Sequence, residues 1–280
     1  MSEAGNGVRL GDVWREACQR IDRLDARLLI EHVCGCTRTD LIAHPERLLT
    51  PEQAQRLAEL LARREAGEPL AYLTGSAWFY DREFAVTPDV LIPRPDTEVL
   101  VDQALERTQK LSVPRIVDLG TGSGIVAIML AKLCPQASVT AVDISPASLA
   151  VARANAARHG VDVRFLEGDW YAPLGDERFD LIVSNPPYVV DGDPHLQLNG
   201  LPFEPQHALT DGVAGGDGLA CIRILIDGAP AHLRPGGWLL IEHGYDQAVK
   251  VRELLRARGF AGVDSWRDGA DIERVSGGHL

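Results

Sequence analysis

The chemistry that this sequence can perform is clearest in a four-residue turn, Asn185-Pro186-Pro187-Tyr188, which we call the amide turn. It follows an apolar run, 179–183, that is typical of a short buried strand. The residue before a proline is held extended and prolines have no N–H group, so Asn185 is fixed just beyond the strand among carbonyl acceptors. This set suits a planar NH2 group that must be gripped through its hydrogens. A plain rigid turn is the alternative, because Asn-Pro is a common turn dipeptide.

A second candidate site is the glycine loop, the segment Gly120-Thr121-Gly122-Ser123-Gly124. Its glycines allow a tight turn and a close ligand approach, and the helix that follows presents free N–H groups. The G-x-G-x-G spacing departs from the dinucleotide fingerprint, and the loop lacks the lysine of a phosphate loop. The preceding Asp118 would repel a pyrophosphate, so a ligand with a cationic amino-acid tail fits better. A simple strand-to-helix turn is the structural alternative.

Two further side chains follow predicted strands. Asp143 lies about twenty residues beyond the glycine loop, where an acid typically accepts hydrogen bonds from both ribose hydroxyls. Trp170 could cover a flat purine face, and the neighbouring Asp169 could accept from its exocyclic amine. A core or interface aromatic is the alternative role for Trp170.

The elements that position these residues alternate in type from Pro114 onward. The predicted strands are 115–119, 138–142, 161–166, 179–184 and 238–242, with two short ones at 263–267 and 272–276, and the predicted helices are 125–133, 146–159, 218–233 and 246–258. Such alternation predicts an α/β fold with a doubly wound parallel sheet, in which ligands bind beyond the carboxyl ends of the strands. A ribose, a purine, an amino-acid tail and an NH2 acceptor together indicate S-adenosylmethionine and methyl transfer from a sulfonium to nitrogen.

The chain divides into three predicted parts. Residues 1–70 form a helical domain, in which Thr50 and Pro51 make a good helix start, and such an appended bundle often recognises a partner. Residues 71–95 form a β-hairpin linker. Residues 96–280 form the catalytic domain, whose first helix is predicted to use Asp96 as its N-cap and to reach about Gln109.

Composition narrows the class of protein. The chain has 280 residues, 45% of them apolar and 24% charged, which is typical of a globular protein, and its net charge is −12. That charge argues against a broad nucleic-acid surface. We expect no membrane segment, a monomer and a cytoplasmic location with reduced thiols. The five cysteines are odd in number and scattered, and we expect no metal site at His32, Cys34 and Cys36, because no second ligand pair follows at zinc spacing.

Seven segments together resemble the release-factor glutamine methyltransferase family (HemK/PrmC), and the resemblance runs in order from about residue 10 to the C-terminus. These are Glu68-Pro69-Leu70-Ala71-Tyr72-Leu73-Thr74-Gly75, Leu91-Ile92-Pro93-Arg94-Pro95-Asp96-Thr97-Glu98, the stretch Asp118 to Gly124, the amide turn, Phe203-Glu204-Pro205, Ile241-Glu242-His243-Gly244 and Glu273-Arg274-Val275. The amide turn alone is shared with amino methyltransferases of DNA bases. The Pro-Arg-Pro-Asp-Thr-Glu stretch makes the combination specific.

The resemblance implies a class I, Rossmann-like methyltransferase sheet, S-adenosyl-L-methionine as cofactor and the glutamine of a release-factor Gly-Gly-Gln motif as substrate. It implies that the glycine loop lines the methionine end, Asp143 the ribose and Trp170 the adenine. Asn185 would border both cofactor and substrate, and the whole amide turn would grip the target amide. The residues implied to bind cofactor are Gly120, Thr121, Gly122, Ser123, Gly124, Asp143, Trp170 and Asn185, and those implied to act on the substrate are Asn185, Pro186, Pro187 and Tyr188.

The expected mechanism has the side-chain oxygen of Asn185 and the carbonyl of Pro186 accept the two amide hydrogens, while Tyr188 packs on the amide face. The spacing of His195 and His207 gives neither a role as a base. The long segment 191–218 is predicted to help form the entrance for a protein substrate.

Alternative functions stay open on the residues alone. An adenine-N6 nucleic-acid methyltransferase would use the same amide grip, and the acidic balance weighs against it. A glutamine methyltransferase of a ribosomal protein, a nucleotide-cofactor oxidoreductase and a binding module without activity are the others.

Overall fold

The computed structural model describes residues 7–280 and divides the chain into two compact units. The first unit comprises Met1–Gly75, of which 7–75 are described, together with Gln197–Phe203. The second comprises Ser76–Leu196 and Glu204–Leu280. The predicted hairpin therefore belongs to the second unit, with the sheet.

The first unit is helical, as the sequence predicts. Its helices are α1 (Leu10–Arg20), α2 (Arg23–Cys34), α3 (Arg38–Ala43), α4 (Pro51–Glu65) and α5 (Leu70–Thr74). The predicted start of α4 is confirmed: Gln53 N donates to Thr50 Oγ1 at 3.2 Å, and Thr50 N donates to Gln53 Oε1 at 3.1 Å, a reciprocal cap. Buried leucines from α1, α2 and α4 form the core of this unit.

A distant piece of chain, Gln197–Phe203, completes the first unit. The Phe203 ring lies beside Gly67, where an added Cβ would be 3.6 Å from Cε2. Gly200 has φ +82°, and a Cβ there would lie 2.8 Å from the Cγ of Pro69, so glycine is required on both counts.

The second unit alternates strands and helices. Its elements are β1 (Ser76–Phe79), β2 (Arg82–Ala85), α6 (Glu98–Thr108), β3 (Arg115–Leu119), α7 (Ile125–Leu133), β4 (Ser138–Asp143), α8 (Pro146–His159), β5 (Arg164–Glu167), β6 (Phe179–Ser184), β7 (Val189–Asp191), β8 (Thr210–Ala214), α9 (Ala220–His232), β9 (Leu233–Glu242), α10 (Ala248–Ala257), β10 (Ala261–Arg267) and β11 (Glu273–His279). The strands β1 and β2 form the predicted hairpin.

Seven strands form the central sheet, in the order β10-β11-β9-β6-β3-β4-β5. The five from β9 to β5 are parallel, and β11 runs antiparallel to both β9 and β10. The α/β fold is confirmed, but the sheet is mixed, because a short connection joins β10 to β11 where a parallel pair would need a crossover. Helices cover both faces, with residues of α6 and α7 in one core cluster and residues of α9 and α10 in the other.

Some predicted boundaries are wrong. Asp96 does not cap a helix: Pro95–Thr97 forms a 3-10 turn and α6 begins at Glu98, while the Asp96 carboxylate lies 3.1 Å from Arg274 Nη2. Segment 191–218 contains β8, which pairs with β7 in a parallel two-stranded sheet. Within residues 7–280, no helix combines the length and apolar character needed to cross a membrane.

Candidate active site

A cavity of about 410 Å³ lies beyond the carboxyl ends of β3, β4, β5 and β6, within the usual size range for small-molecule sites. The strand order reverses between β3 and β6, which is where doubly wound sheets bind ligands. The predicted residues that line it are Gly120, Thr121, Gly122, Ser123, Asp143, Trp170, Asn185 and Pro187. Gly124, Pro186 and Tyr188 lie outside its lining.

The glycine loop has a conformation that requires its glycines. Gly120, Gly122 and Gly124 have φ values of +74°, +55° and +84°. A Cβ on Gly120 would lie 3.4 Å from the Trp170 ring, and one on Gly124 would lie 3.0 Å from the Cβ of Ala152. The loop thus leaves a narrow cradle that side chains would fill, which fits a ligand resting on its backbone.

Nearby side chains hold the glycine loop in place. Asp143 accepts from Gly122 N at 2.8 Å and from Ser145 N at 2.9 Å, so part of its carboxylate already serves the protein. Thr121 Oγ1 donates to Asp118 Oδ2 at 2.6 Å. Asp118 is fully buried and does not line the cavity, and burial raises its pKa to about 7. Asp118 therefore supports the glycine loop from outside the cavity. Its carboxylate is not placed to pair directly with a cationic ligand.

The apolar wall of the cavity includes Trp170 and Ile144. Trp170 has φ +42°, an uncommon conformation for a residue other than glycine, which places its ring against Gly120. Ile144 is 62% exposed although it follows a buried strand. Ile144 was not predicted as a site residue, although an apolar side chain directly after Asp143 could have indicated one. The ring of Trp170 supplies a flat apolar surface in this lining, which also includes Asp169.

Asn185 is held by a side chain distant in sequence. Its Nδ2 donates to Thr97 Oγ1 at 3.2 Å, which leaves Oδ1 as the acceptor end of the amide. Thr97 also lines the cavity and is only 1% exposed. Thr97 was missed as a functional residue, although it lies within the Pro-Arg-Pro-Asp-Thr-Glu stretch.

Behind the amide turn lies a buried acid, Glu242. Tyr188 Oη donates to Glu242 Oε1 at 3.3 Å, and Oε2 has no hydrogen-bond partner among residues 7–280. Burial raises the pKa of Glu242 to about 7, against the stabilising hydroxyls of Thr97 and Tyr188. Burial likewise raises the pKa of Tyr188, so its phenol stays protonated. Gln247 fixes the end of the turn, because its Nε2 donates to the carbonyl of Tyr188 at 3.0 Å.

The lining of the cavity includes residues of segments 89–94 and 206–212, and the carboxylate of Glu204 connects these two segments. Glu204 accepts from Ile92 N at 3.0 Å and forms an ion pair with Arg94. Residues of 206–212, His207 among them, also line the cavity. His195 is exposed, and its Nδ1 lies 2.8 Å from Asp193 Oδ1. It does not line the cavity. The role of 191–218 as a substrate entrance stays a prediction.

This fold and this site define a class I methyltransferase that uses S-adenosylmethionine. Residues 95–200 match the Methyltransferase small domain, and residues 15–75 match the PrmC N-terminal domain. The release factor glutamine methyltransferase of Bordetella pertussis is 52% identical over 93% of this chain and 96% of that protein. The Xylella fastidiosa (strain Temecula1) protein of the same name is 47% identical over 94% of each chain. The chain belongs to the release factor glutamine methyltransferase family.

Solved structures of low identity share the fold. The catalytic domain of hMettl16, solved in complex with MAT2A 3'UTR hairpin 6, has a TM-score of 0.56 at 16% identity, over 89% of this chain and 91% of that one. A T. Thermophilus 16S rRNA methyltransferase, solved with AdoMet and guanosine, has a TM-score of 0.54 at 22% identity, over 73% of this chain and 49% of that one. At these identities the likeness concerns the fold alone.

Proposed function

We propose that this enzyme transfers a methyl group to the side-chain amide nitrogen of the glutamine in the Gly-Gly-Gln motif of peptide chain release factors. The observation that carries the proposal is the orientation of Asn185: its Nδ2 is engaged by Thr97, so its Oδ1 is the end available to accept from a substrate NH2 group. A primary amide substrate requires such an oxygen at the cavity wall to accept a hydrogen bond from its NH2 group.

The cofactor would lie along the glycine loop, with its ribose near Asp143 and its adenine between Trp170 and Ile144. When bound, S-adenosylmethionine supplies an electrophilic methyl group on a sulfonium. The protein's task is to hold an amide nitrogen in line with that methyl group. Gly120 and Gly122 keep the cradle free of side chains, which supports this placement.

A carboxamide nitrogen is a poor nucleophile, because its lone pair is delocalised into the carbonyl. Asn185 Oδ1 and the Pro186 carbonyl would accept its two hydrogens, which fixes the nitrogen for attack. The same acceptors stabilise the positive charge that develops on nitrogen during transfer. The proton leaves after transfer, so no dedicated base is needed, and His207 has no required part. Tyr188 would support the turn from behind, where its hydroxyl meets Glu242.

Release factors are the proposed substrates for two reasons. The relatives at about half identity over nearly the whole chain carry that activity in their names. The net charge of −12 disfavours the rival, adenine-N6 methylation of nucleic acid. We further propose that the helical first unit contributes to recognition of the release factor, that the enzyme acts as a monomer and that it works in the cytoplasm, where release factors act.

The test is incubation with labelled cofactor and a release factor, followed by mass spectrometry of the Gly-Gly-Gln peptide. The matched control is the same release factor with Asn in place of that Gln, and DNA and RNA are offered in parallel. We expect label on the glutamine alone. Label on adenine with none on glutamine would overturn the proposal.

A further inference from the structure

We propose that Thr97 and Glu242 are positioning residues that set which end of the Asn185 amide faces the cavity. The inference deepens the proposed function and rests on it. An asparagine amide has two ends of nearly equal shape and opposite hydrogen-bonding character. Only the oxygen end can accept from a substrate NH2 group, so some neighbour must exclude the flipped orientation.

Thr97 is the neighbour in contact with that amide. Its hydroxyl lies 3.2 Å from Asn185 Nδ2, and both residues line the cavity. A hydroxyl has one proton and can both donate and accept. Contact with Thr97 alone therefore permits either orientation of the amide, because the hydroxyl could equally donate to an inward-facing Oδ1.

Glu242 removes this ambiguity. Its side chain is 1% exposed, its Oε2 has no hydrogen-bond partner among residues 7–280, and the nearby hydroxyl of Thr97 lowers its pKa. An ionised carboxylate only accepts, so it attracts the hydroxyl proton of Thr97 and leaves a lone pair for Asn185 Nδ2. With its hydroxyl proton attracted toward Glu242, Thr97 accepts from Asn185 Nδ2, and Oδ1 is directed toward the cavity.

The same acid also holds Tyr188, whose Oη donates to Glu242 Oε1 at 3.3 Å. Glu242 thereby links both ends of the amide turn to one buried group. The other charged groups that act on Glu242 are Asp96, which raises its pKa, and Arg274, which lowers it. Both approach from segments outside β9, since Asp96 precedes α6 and Arg274 lies on β11.

The first experiment compares Thr97→Val, Thr97→Ser and Thr108→Val. Thr108 is the matched control, because it is equally buried, it lies on α6 and, within residues 7–280, its hydroxyl donates only to the backbone carbonyls of Ala104 and Leu105. We expect Thr97→Val to lower kcat by about 10- to 100-fold, as loss of one oriented hydrogen bond allows. Cofactor Kd, measured by calorimetry, should change less than about threefold. Thr97→Ser should restore kcat, and Thr108→Val should keep it.

The second experiment replaces Glu242 with Gln, which preserves shape but carries both a donor and an acceptor. We expect kcat to fall about 10-fold, because the amide of Gln can donate to Thr97 and permits the flipped Asn185. The pH profile separates this role from a structural one. Wild-type kcat should decline as pH falls through the titration of Glu242, and E242Q should lose that limb. Asp118 titrates in both proteins, so the difference between the profiles isolates Glu242.

Full kcat in Thr97→Val, or an unchanged pH profile in E242Q, would overturn the inference. If Thr97→Val does not fold by circular dichroism, the comparison between wild type and E242Q decides alone. Wild-type enzyme is assayed first on the release factor. Failure there overturns the proposed function and this inference with it, whereas an active wild type with normal variants overturns the inference only.

Discussion

The glycine loop and the amide turn lie on neighbouring strands of one sheet, yet they are held in different ways. Thr121 reaches Asp118 three residues away, and Gly122 reaches Asp143 across 21 residues. In the amide turn, Asn185 depends on Thr97 at a separation of 88 residues, and Tyr188 depends on Glu242 at 54. These two contacts of the glycine loop come from one strand–helix–strand unit, β3–α7–β4. The substrate side is assembled from elements scattered along the chain.

The difference has a physical basis. The glycine loop presents backbone, whose conformation is set by positive φ angles and nearby acceptors. The amide turn presents a side chain, whose orientation must be imposed by other side chains that are themselves buried and polar. Buried polar groups are costly unless they are paired, and each region contains one buried acid whose pKa is raised to about 7: Asp118 under the glycine loop and Glu242 behind the amide turn. Glu242 differs from Asp118 in that one of its carboxylate oxygens, Oε2, has no hydrogen-bond partner among residues 7–280.

The largest expected effect is a loss of turnover that distinguishes the amide turn from the glycine loop. Asn185→Ala removes the proposed acceptor for the substrate amide, and we expect turnover to fall about 1,000-fold, equal to about 4 kcal/mol of lost transition-state stabilisation. Cofactor Kd should stay within a few-fold, because the glycine loop keeps its own supports. Turnover is measured by label transfer and Kd by calorimetry. Retained turnover would show that the turn is only a rigid connection.

The next effect concerns stability and pH. In the folded protein the pKa of Glu242 is about 7, above its ordinary value of 4.5. Protonation of Glu242 therefore favours folding at pH values below 4.5, and this contribution to stability is lost as the pH rises through 7. At about pH 8 this opposes folding by roughly 3 kcal/mol. E242Q should therefore be more stable than wild type at that pH, and the advantage should shrink toward about pH 5.

Urea unfolding of both proteins across this pH range measures that difference. A Glu242→Gln protein that is less stable than wild type at every pH would contradict the electrostatic account. Greater stability together with lower kcat would instead sharpen the contrast between the two regions, because it shows that the substrate side gives up stability for orientation.

The smallest expected effect lies within the glycine loop. Gly124→Ala meets both an unfavourable φ of +84° and a Cβ position 3.0 Å from Ala152, and we expect unfolding free energy to fall by about 2 kcal/mol. Gly122→Ala is the matched control, since Gly122 also has a positive φ but an added Cβ would meet no atom of residues 7–280 within 4 Å, and it should lose about 1 kcal/mol. Equal losses in the two variants would mean that packing against Ala152 is unimportant.

The same contrast explains what the sequence could predict. Alternating strands, the glycine loop and the amide turn are local patterns, and the structure confirms the fold that they imply. Thr97 and Glu242 escaped notice as site residues because nothing in their own surroundings reveals a partner 88 or 54 residues distant. Asp96 was assigned a helix cap because it follows a proline in a typical starting pattern. In the folded chain, a 3-10 turn and an ion pair with Arg274 replace that cap.

The segment Gln197–Phe203 has a consequence for synthesis on the ribosome. The chain emerges from its N-terminus, and the first unit contains Gln197–Phe203 beside Gly67 and Pro69. Four strands of the central sheet, β3 to β6, precede that segment in the chain. The first unit to begin emerging is therefore completed only after more than half of the sheet has been made. A nascent chain that stops at Gly75 leaves the surfaces of Gly67 and Pro69 uncovered and open to chaperones.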